Sequence, residues 1–362
     1  MINNQIVIGI THGDFNGVGY EVILKALSQE KIYEHFIPII YGSSKVAGYY
    51  RKLLKLNHIN FNNINTADQA EPHKINLINC TQEDLRVEHG ISSKEAGKAA
   101  FDALEKAVAD MKTGVVDALV TAPINKHNIQ SESFYFPGHT EYLEEVFKDN
   151  DSKKDQQALM VLVSETIRVA VVTGHIPIKE VSKSITKKLI ITKLNTFNDS
   201  LKRDFTIVRP RIAVLGLNPH AGDNGILGDE EENIIKPALE EAKANGVLCF
   251  GPYPADGFFG SGKFKQFDGI LAMYHDQGLI PFKTMAMNSG VNYTAGLSVV
   301  RTSPAHGTAY ELSGKETACE SSFREALFMA YDILNNRALD DEIRANPLPI
   351  DKSQRDRAGK IE

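Results

Sequence analysis

Short apolar runs alternate with amphipathic stretches along the first third of the chain. Each run is rich in β-branched residues, whereas each stretch spaces its apolar positions three and four residues apart, as a helix does. The runs are QIVIGI, FIPIIYG, KINLINC and DALVTAP, and the stretches between them are EVILKALSQ, SKVAGYYRKLLKL and EAGKAAFDALEKAVADMKTG. This alternation predicts an α/β fold in which helices cover both faces of a parallel sheet.

The middle of the chain adds two adjacent strands and then resumes the alternation. ALMVLVSE and IRVAVVTGH are separated only by a polar turn, so they predict an antiparallel hairpin. One long helix is predicted over KEVSKSITKKLIITKLNTFNDSLKRD, before Pro210. RIAVLGLNPHAGDNG then predicts a strand that enters a glycine-rich loop, and DGILAMYHDQG repeats that form. Between them, EENIIKPALEEAKANG predicts a helix with Gly246 near its end.

Three of these apolar runs end near a histidine. His175 follows RVAVVTG, His220 lies in the loop after RIAVLGL, and His275 follows DGILAMY. Ligands gather beyond the carboxyl ends of strands in open α/β sheets, so the three side chains can converge. Imidazole nitrogen suits zinc, cobalt, nickel or iron, and three ligands leave positions open for a substrate. The alternative is an ordinary strand-end histidine at each position, since the spacing is not a local metal motif such as HExxH.

Charged residues near these loops are further candidates for chemistry. Asp256 lies in GPYPADGFF and Asp276 is next to His275, so either carboxylate can orient a ligand histidine or relay a proton. Lys283 and Arg301 come later in the chain and can hold a phosphate or carboxylate. The alternatives are a turn-forming aspartate and solvated surface charge.

The segment GHTEYLEEVF predicts a helix that begins after Gly138. Thr140 is its predicted cap, and the free backbone N–H groups of the first turn favour an anion, to which His139 can add a donor. An ordinary helix start explains the same residues without a ligand.

Two other polar segments follow strands. The N-terminal GDFNGVGYE joins a strand to a helix, but its glycine spacing is not GxGxxG, so it does not predict a Rossmann nucleotide site. TAPINK places Asn125 and Lys126 after a strand, with no spacing code that assigns them a ligand.

Composition narrows the partners and the compartment. The chain has 362 residues, 42% of them hydrophobic and 24% charged, which is ordinary for a globular protein. A net charge of -6 gives no broad basic field, so nucleic-acid binding is not expected. Three cysteines without a CxxC pair favour a reducing compartment. Without an export signal or an apolar run of membrane-spanning length, a cytoplasmic protein with no membrane partner is expected.

Eight ordered blocks resemble the 4-hydroxythreonine-4-phosphate dehydrogenase family of pyridoxal phosphate biosynthesis. They are ITHGDFNGVGYE, TAPINK, GHTEYL, TGHIPIKEV, GLNPHAGDNGILGDEE, PYPADGFF, AMYHDQGLIPFK and RTSPAHGTAYEL. The resemblance implies two α/β/α domains with a cleft between them, like those of isocitrate and isopropylmalate dehydrogenases. The expected division is 1–130 with 295–345 for the first domain, 131–294 for the second domain with the dimer interface, and 346–362 for a tail.

The resemblance also implies the residues of the site. The implied ligands of a divalent metal (zinc, cobalt or magnesium) are His175, His220 and His275, the last reaching across from the partner subunit of a homodimer. The implied substrate-binding residues are His139, Thr140, Lys283, Asn292 and Arg301. The residues expected to act in catalysis are Asp256, Asp276 and Lys283. NAD or NADP is the implied cofactor, and its contact residues are not assigned.

The implied reaction is metal-dependent, NAD(P)-linked oxidation of 4-phosphooxy-L-threonine, with decarboxylation to 3-amino-2-oxopropyl phosphate. Three alternatives stay open: a sister dehydrogenase for phosphothreonate or phosphoerythronate, a metal-dependent hydrolase, and a non-catalytic protein that binds phosphometabolites.

Two departures from the family pattern affect how far these implications extend. GDFNGVGYE replaces a form like GDPAGIGPE but keeps Gly17 and Gly19. Ala305 in RTSPAHGTA stands where members commonly have an aspartate, which removes a potential partner of His306.

Overall fold

The computed structural model describes residues 5–81, 84–148, 157–345 and 347, and these ranges contain twelve β-strands and ten α-helices. The strands are β1 (Ile6–Thr11), β2 (Phe36–Gly42), β3 (Phe61–Ile64), β4 (Ile75–Asn79), β5 (Ala118–Thr121), β6 (Leu159–Val163), β7 (Arg168–Thr173), β8 (Ile212–Leu215), β9 (Cys249–Tyr253), β10 (Gly269–Tyr274), β11 (Val291–Ala295) and β12 (Val300–Pro304). The helices are α1 (Gly19–Ala26), α2 (Ser44–Leu53), α3 (Lys94–Lys112), α4 (His139–Val146), α5 (Ile178–Ser184), α6 (Lys187–Arg203), α7 (Lys236–Ala244), α8 (Ala255–Gly260), α9 (His275–Ala286) and α10 (Ser321–Ala345). Apart from residue 347, the predicted tail lies outside the described residues. None of these helices is long and apolar enough to cross a membrane.

All twelve strands form one sheet, in the order β3-β4-β2-β1-β5-β12-β11-β6-β7-β10-β8-β9. Two groups of neighbouring strands are parallel within themselves. The first group is β3, β4, β2, β1, β5 and β12, and the second is β7, β10, β8 and β9. Antiparallel pairing among β12, β11, β6 and β7 joins these two halves. The predicted α/β fold and the β6–β7 hairpin are therefore confirmed.

The two ranges expected to form domains supply adjacent halves of this sheet. Strands β1 to β5 and β12 belong to the first expected domain, and β6 to β10 belong to the second. Strand β11 crosses the expected boundary by one residue. The division into two domains stays a prediction, because one continuous sheet runs through both ranges.

Hydroxyl side chains fix the starts of two long helices. The side chains of Ser43 and Ser93 each accept a hydrogen bond from a backbone N–H group in the first turn of α2 and α3. At the other end of a helix, Gly246 follows α7 with a φ of +86°, as its predicted position near the helix end requires.

The prediction of one long helix over 179–204 is wrong, because the chain forms two helices there. Helix α5 ends at Ser184, and Ile185 is extended. The hydroxyl group of Thr186 then accepts a hydrogen bond from the first turn of α6, so a new helix begins beyond it. The helical spacing of apolar residues continues through this break, so the sequence pattern did not indicate that Thr186 caps a new helix.

Two glycines in the N-terminal loop are required by close packing. A Cβ atom on Gly17 would lie 2.6 Å from the carbonyl oxygen of Thr308, and one on Gly19 would lie 2.2 Å from that of His12. Both distances are too short for any side chain. The packing explains why this loop keeps its glycines although its other residues depart from the family pattern.

A buried ion pair ties the end of α6 to α10. Asp204 accepts hydrogen bonds of 2.7 Å from Nε of Arg337 and 2.6 Å from the hydroxyl group of Tyr293. We predict that Asp204→Ala lowers the free energy of unfolding by about 3–5 kcal/mol, because the buried guanidinium loses its carboxylate. Urea denaturation measures this change. Asp341→Ala, which removes an exposed partner of Arg203, is the control and should cost about 1 kcal/mol or less; a loss no larger in Asp204→Ala would contradict the prediction.

Candidate functional site

A cleft of about 270 Å³ lies over one face of the strands in the middle of the sheet. Successive strand residues point to opposite faces, so Arg301 and Ser303 of β12 point to one side, as do Met160 and Leu162 of β6. All four line the cleft. Asn292 of β11 lies between them, since it pairs with Ser303 and with Leu162. The cleft is therefore where the two halves of the sheet meet, and α4 and α9 supply its walls.

Arg301 carries a buried positive charge at the floor of this cleft. It is 3% exposed and donates hydrogen bonds to the hydroxyl groups of Thr121 and Thr294, at 2.7 and 3.3 Å. It forms no salt bridge with another described residue. Burial lowers the pKa of Arg301 to about 10, which Glu141 opposes, so the guanidinium stays charged at neutral pH. A buried charge is costly unless an anion pairs with it, and the cleft floor therefore suits an anionic ligand group.

His139 supplies a second donor beside Arg301. The guanidinium can only donate, so the 3.2 Å contact with Nη2 makes Nδ1 of His139 the acceptor and places the ring proton on Nε2. That Nε2 atom is buried, and no described residue pairs with it. Burial, followed by the charges of Arg301 and Lys126, keeps the pKa of His139 well below its ordinary value, so the ring is neutral. An anionic oxygen is the acceptor that this N–H group lacks.

Thr140 lies inside the first turn of α4. The prediction that this helix begins after Gly138 is confirmed, but the predicted role of Thr140 as its cap is wrong, because Gly138 occupies the capping position and no side chain accepts from the first turn. Thr140 instead lines the cleft beside His139. The positive end of the helix dipole therefore faces the same cleft as Arg301.

Two lysines add positive charge to the cleft walls. Lys283 lies on α9 and lines the cleft. Lys126 lines it as well, and its Nζ atom lies 3.3 Å from Nε2 of His175. No spacing code assigned Lys126 a ligand, and the signal that could have found it was its position after β5, the strand beside β12.

His175 and His275 are neighbours in the cleft. Their ring centroids are 5.4 Å apart, because they follow β7 and β10, which pair side by side. Asp276 lies 2.7 Å from Nδ1 of His275, so that nitrogen donates and Nε2 keeps its lone pair for a metal. Burial, and then the charge of Lys126, lowers the pKa of His175, so this ring too is neutral, as ligation requires.

His220 lies outside the cleft of its own chain. Its strand, β8, pairs with β10 but not with β7. His220 is exposed, and the residues from His220 to Asn224 all have positive φ. The resemblance implied that His275 is the ligand from a partner subunit, but His275 stands beside His175 of its own chain and His220 is the separate one. Within the described ranges, no group of three His, Cys, Asp or Glu residues is arranged to hold a metal. One chain thus presents two of the three predicted ligands.

The two predicted catalytic aspartates have different surroundings. Asp276 bonds to His275, whereas Asp256 lies in the first turn of α8, is exposed and does not line the cleft. A relay through Asp256 is therefore not formed within one chain. Among the described residues, Glu141 is the carboxylate that lines the cleft, and sequence reasoning missed it.

The segment after β12 shows how the chain compensates for Ala305. Nδ1 of His306 lies 2.9 Å from the carbonyl oxygen of Gly307, which orients the ring without a neighbouring carboxylate. The ring lines the cleft, and its Nε2 atom is buried with no partner in the described part of the chain. Asn292 also lines the cleft, and its Oδ1 atom is buried without a partner among the described residues. These two buried acceptors face a cleft whose charged donors are Arg301, Lys126 and Lys283.

Comparison with known proteins extends over nearly the whole chain. The model of the family described as pyridoxal phosphate biosynthetic protein PdxA matches residues 34–330. A 4-hydroxythreonine-4-phosphate dehydrogenase of Bacteroides thetaiotaomicron is 56% identical over 348 residues, which are 96% of this chain and 94% of that protein. A D-threonate 4-phosphate dehydrogenase of Cupriavidus necator is 38% identical and spans 92% of this chain and 98% of its own length. The crystal structure of a 4-hydroxythreonine-4-phosphate dehydrogenase from Klebsiella pneumoniae has 34% identity and a TM-score of 0.75, and covers 91% of this chain and 98% of that chain.

Proposed function

The chain belongs to the family of pyridoxal phosphate biosynthetic protein PdxA, and we propose that it catalyses metal-dependent, NAD(P)-linked oxidation of 4-phosphooxy-L-threonine with decarboxylation to 3-amino-2-oxopropyl phosphate. Relatives named 4-hydroxythreonine-4-phosphate dehydrogenase support an oxidoreductase that acts on a small phosphorylated hydroxy acid. The family description supports a place in the biosynthesis of vitamin B6.

The observation that carries the proposal is the buried, unpaired charge of Arg301. The guanidinium of Arg301 has no carboxylate partner among the described residues, and the Nε2–H group of His139 lacks an acceptor there. The start of α4 adds free backbone donors next to them. These donors suit the oxygens of a phosphate group. Lys126 and Lys283 suit the carboxylate of the same substrate, the group that leaves as carbon dioxide.

The donor set fits a divalent metal at the paired histidines. The rings of His175 and His275 lie side by side, and Asp276 accepts from Nδ1 of His275, which leaves Nε2 of that ring to face a zinc or cobalt ion. When bound, the metal supplies Lewis-acid chemistry, which polarises the substrate oxygen and stabilises the charge that develops on it during oxidation and decarboxylation. The residues of the chain position the substrate for this: Arg301 and His139 fix the phosphate end, and Leu162 contributes an apolar side chain to the floor.

We propose that a homodimer completes this site. Large apolar side chains are exposed within six residues of each predicted metal ligand. They include Ile178 at 73%, Ile226 at 77% and Ile280 at 63% exposure. Exposed aliphatic groups gathered around a functional site are typical of a protein contact surface. A second copy of the chain on this surface buries them and supplies His220 as the third ligand.

The nearest alternative substrate is D-threonate 4-phosphate, which appears in the names of two relatives. It shares the phosphate and the carboxylate but carries a hydroxyl group where 4-phosphooxy-L-threonine carries an ammonium group. Glu141 lines the cleft without a hydrogen bond or ion pair to another described residue, and its negative charge suits an ammonium group. This observation favours the amine substrate.

Initial rates with the two substrates test the proposal. With zinc or cobalt and NAD or NADP, we expect kcat/KM for 4-phosphooxy-L-threonine to exceed that for D-threonate 4-phosphate by about tenfold or more. Glu141→Gln should reduce this preference, because it removes the charge that the ammonium group needs. The reverse preference in the wild-type protein would assign the chain to the sister activity instead.

A further inference from the structure

The loop that carries His220 has a strained backbone. The five residues from His220 to Asn224 all have positive φ, and four of them are not glycine. In this left-handed conformation the Cβ atom of an L residue lies close to the following carbonyl oxygen, so such residues rarely occur in series. A run of this kind persists only where the surrounding structure holds it. The loop therefore needs a contact that fixes its conformation.

The buried side chain of Glu231 supplies that contact. It is 0% exposed, and its Oε1 atom accepts hydrogen bonds of 2.7 and 2.8 Å from the backbone N–H groups of Leu217 and Asn218. Its Oε2 atom accepts one of 2.9 Å from the side-chain amide of Asn218. All three donors belong to the two residues that lead from β8 into the loop. The carboxylate thus fixes the chain directly before Pro219 and His220.

Two glycines of the same loop leave room for this carboxylate. A Cβ atom on Gly222 would lie 2.7 Å from Oε2 of Glu231, and one on Gly216 would lie 3.0 Å from Oε1. Residues before and after His220 therefore pack against the same carboxylate. This close packing accounts for glycine at both positions of the segment GLNPHAG, and it fixes the left-handed turn from both sides.

Asn218 links this contact to the segment that follows His175. Its side-chain amide also donates a hydrogen bond of 2.7 Å to Glu230, whose other oxygen accepts one of 2.6 Å from the hydroxyl group of Ser182 in α5. Helix α5 begins three residues after His175. The loop that carries His220 is thereby tied to the segment that carries another predicted metal ligand.

The burial of Glu231 points to a need for one exact loop conformation. No described lysine, arginine or histidine forms an ion pair with it, and its carboxylate is stabilised by N–H donors of the loop instead. Burying a carboxylate is unfavourable, and apolar packing holds a connecting loop at a lower free energy. A buried carboxylate is therefore more than a connecting loop requires.

We propose, as an extension that rests on the proposed function, that Glu231 is a positioning residue for metal binding, which holds the left-handed turn in the conformation that presents His220 as a ligand. Glu231 acts through His220, because its own oxygens are buried and engaged by Leu217 and Asn218. Residues that orient a metal ligand in this way typically contribute about 10–100-fold to metal affinity.

Cobalt(II) binding to the full-length, metal-free protein tests this role without turnover. Titration measures the affinity, and the visible absorption of bound cobalt reports its coordination geometry. We expect Glu231→Ala to bind cobalt about 10–100-fold more weakly and to show the spectrum of His220→Ala, because the same imidazole is missing from the metal in both. Glu232→Gln, at the neighbouring surface glutamate that pairs with Lys236, is the matched control and should bind cobalt as the wild-type protein does.

The conservative variant Glu231→Gln should recover part of the affinity. Its amide oxygen still accepts from the two backbone N–H groups, but its NH2 group meets the side-chain amide nitrogen of Asn218, which also donates. We expect cobalt affinity about three- to tenfold below that of the wild-type protein. This variant also serves if Glu231→Ala does not fold, and wild-type affinity in whichever variant is used would overturn the positioning role.

A double-mutant cycle separates positioning of His220 from a general effect on the fold. Adding Glu231→Ala, or Glu231→Gln in its place, to His220→Ala should leave cobalt affinity unchanged, because the ligand that Glu231 positions is already absent. An equal loss of affinity with and without His220 would overturn the role. Unchanged cobalt affinity in His220→Ala alone would instead overturn the metal role of His220 in the proposed function, and this result is distinct from the other two.

Discussion

Arg301→Met should lower kcat/KM for 4-phosphooxy-L-threonine by about 100-fold or more without destabilising the free protein. Removing a buried, charged hydrogen-bond donor weakens the binding free energy of an anion by about 2–5 kcal/mol, which accounts for the drop in kcat/KM. The free protein loses a buried charge that no described carboxylate pairs with, so its unfolding free energy should stay the same or rise. An arginine held in a structural salt bridge would give the opposite stability result.

Two measurements on the same variant check this prediction. Calorimetry with inorganic phosphate should show binding to the wild-type protein and much weaker binding to Arg301→Met, while thermal denaturation follows stability. Arg324→Met removes a surface charge paired with Glu320 and is the control, with activity expected to stay at the wild-type value. Wild-type phosphate affinity in Arg301→Met, or a stability loss of several kcal/mol, would contradict the anion-anchor role.

His275→Ala should abolish metal-dependent activity, with kcat/KM reduced about 1,000-fold or more, because Lewis-acid stabilisation of a developing negative charge contributes several kcal/mol. Removing zinc or cobalt from the wild-type protein by chelation should have the same effect, and adding the metal back should restore activity. Asp276→Asn should weaken metal affinity by about 10–100-fold, because the amide holds Nδ1 of His275 less strongly than the carboxylate does.

Metal content and turnover, measured on the same samples, check this second prediction. His58→Ala is the matched control, since that side chain lies away from the cleft. Full activity in the chelated protein, or a His275→Ala variant with wild-type metal content and turnover, would contradict the metal role of the histidine pair.

The sequence predicted the fold well because the signals for strands are local. The run IVIGIT, with its β-branched residues, becomes the buried strand β1, and the close spacing of ALMVLVSE and IRVAVVTGH produces the β6–β7 hairpin. Helix breaks were harder to predict, because Thr186 caps α6 in the middle of a continuous helical pattern. Apolar spacing indicates which face of a helix is buried but not where a hydroxyl group interrupts it.

The site was predictable only in part, because its residues meet through strand order. His175 and His275 meet because β7 and β10 are adjacent in the sheet, and His220 stays apart because its loop follows β8 with positive φ values. No spacing in the sequence encodes those neighbours. The tautomers of His139 and His306 depend on contacts with Arg301 and Gly307, respectively. These two contacts follow from the fold and could not be predicted from the sequence.

Product stoichiometry is the most direct test of the reaction. The metal-loaded protein is incubated with 4-phosphooxy-L-threonine and NAD or NADP, and reduced cofactor, carbon dioxide and free phosphate are measured in the same sample. Metal-dependent oxidative decarboxylation predicts equal amounts of reduced cofactor and carbon dioxide, with the phosphate group retained in the product. Free phosphate without reduced cofactor would indicate a hydrolase, and no product at any metal loading would indicate a binding protein; either result would contradict the proposed dehydrogenase.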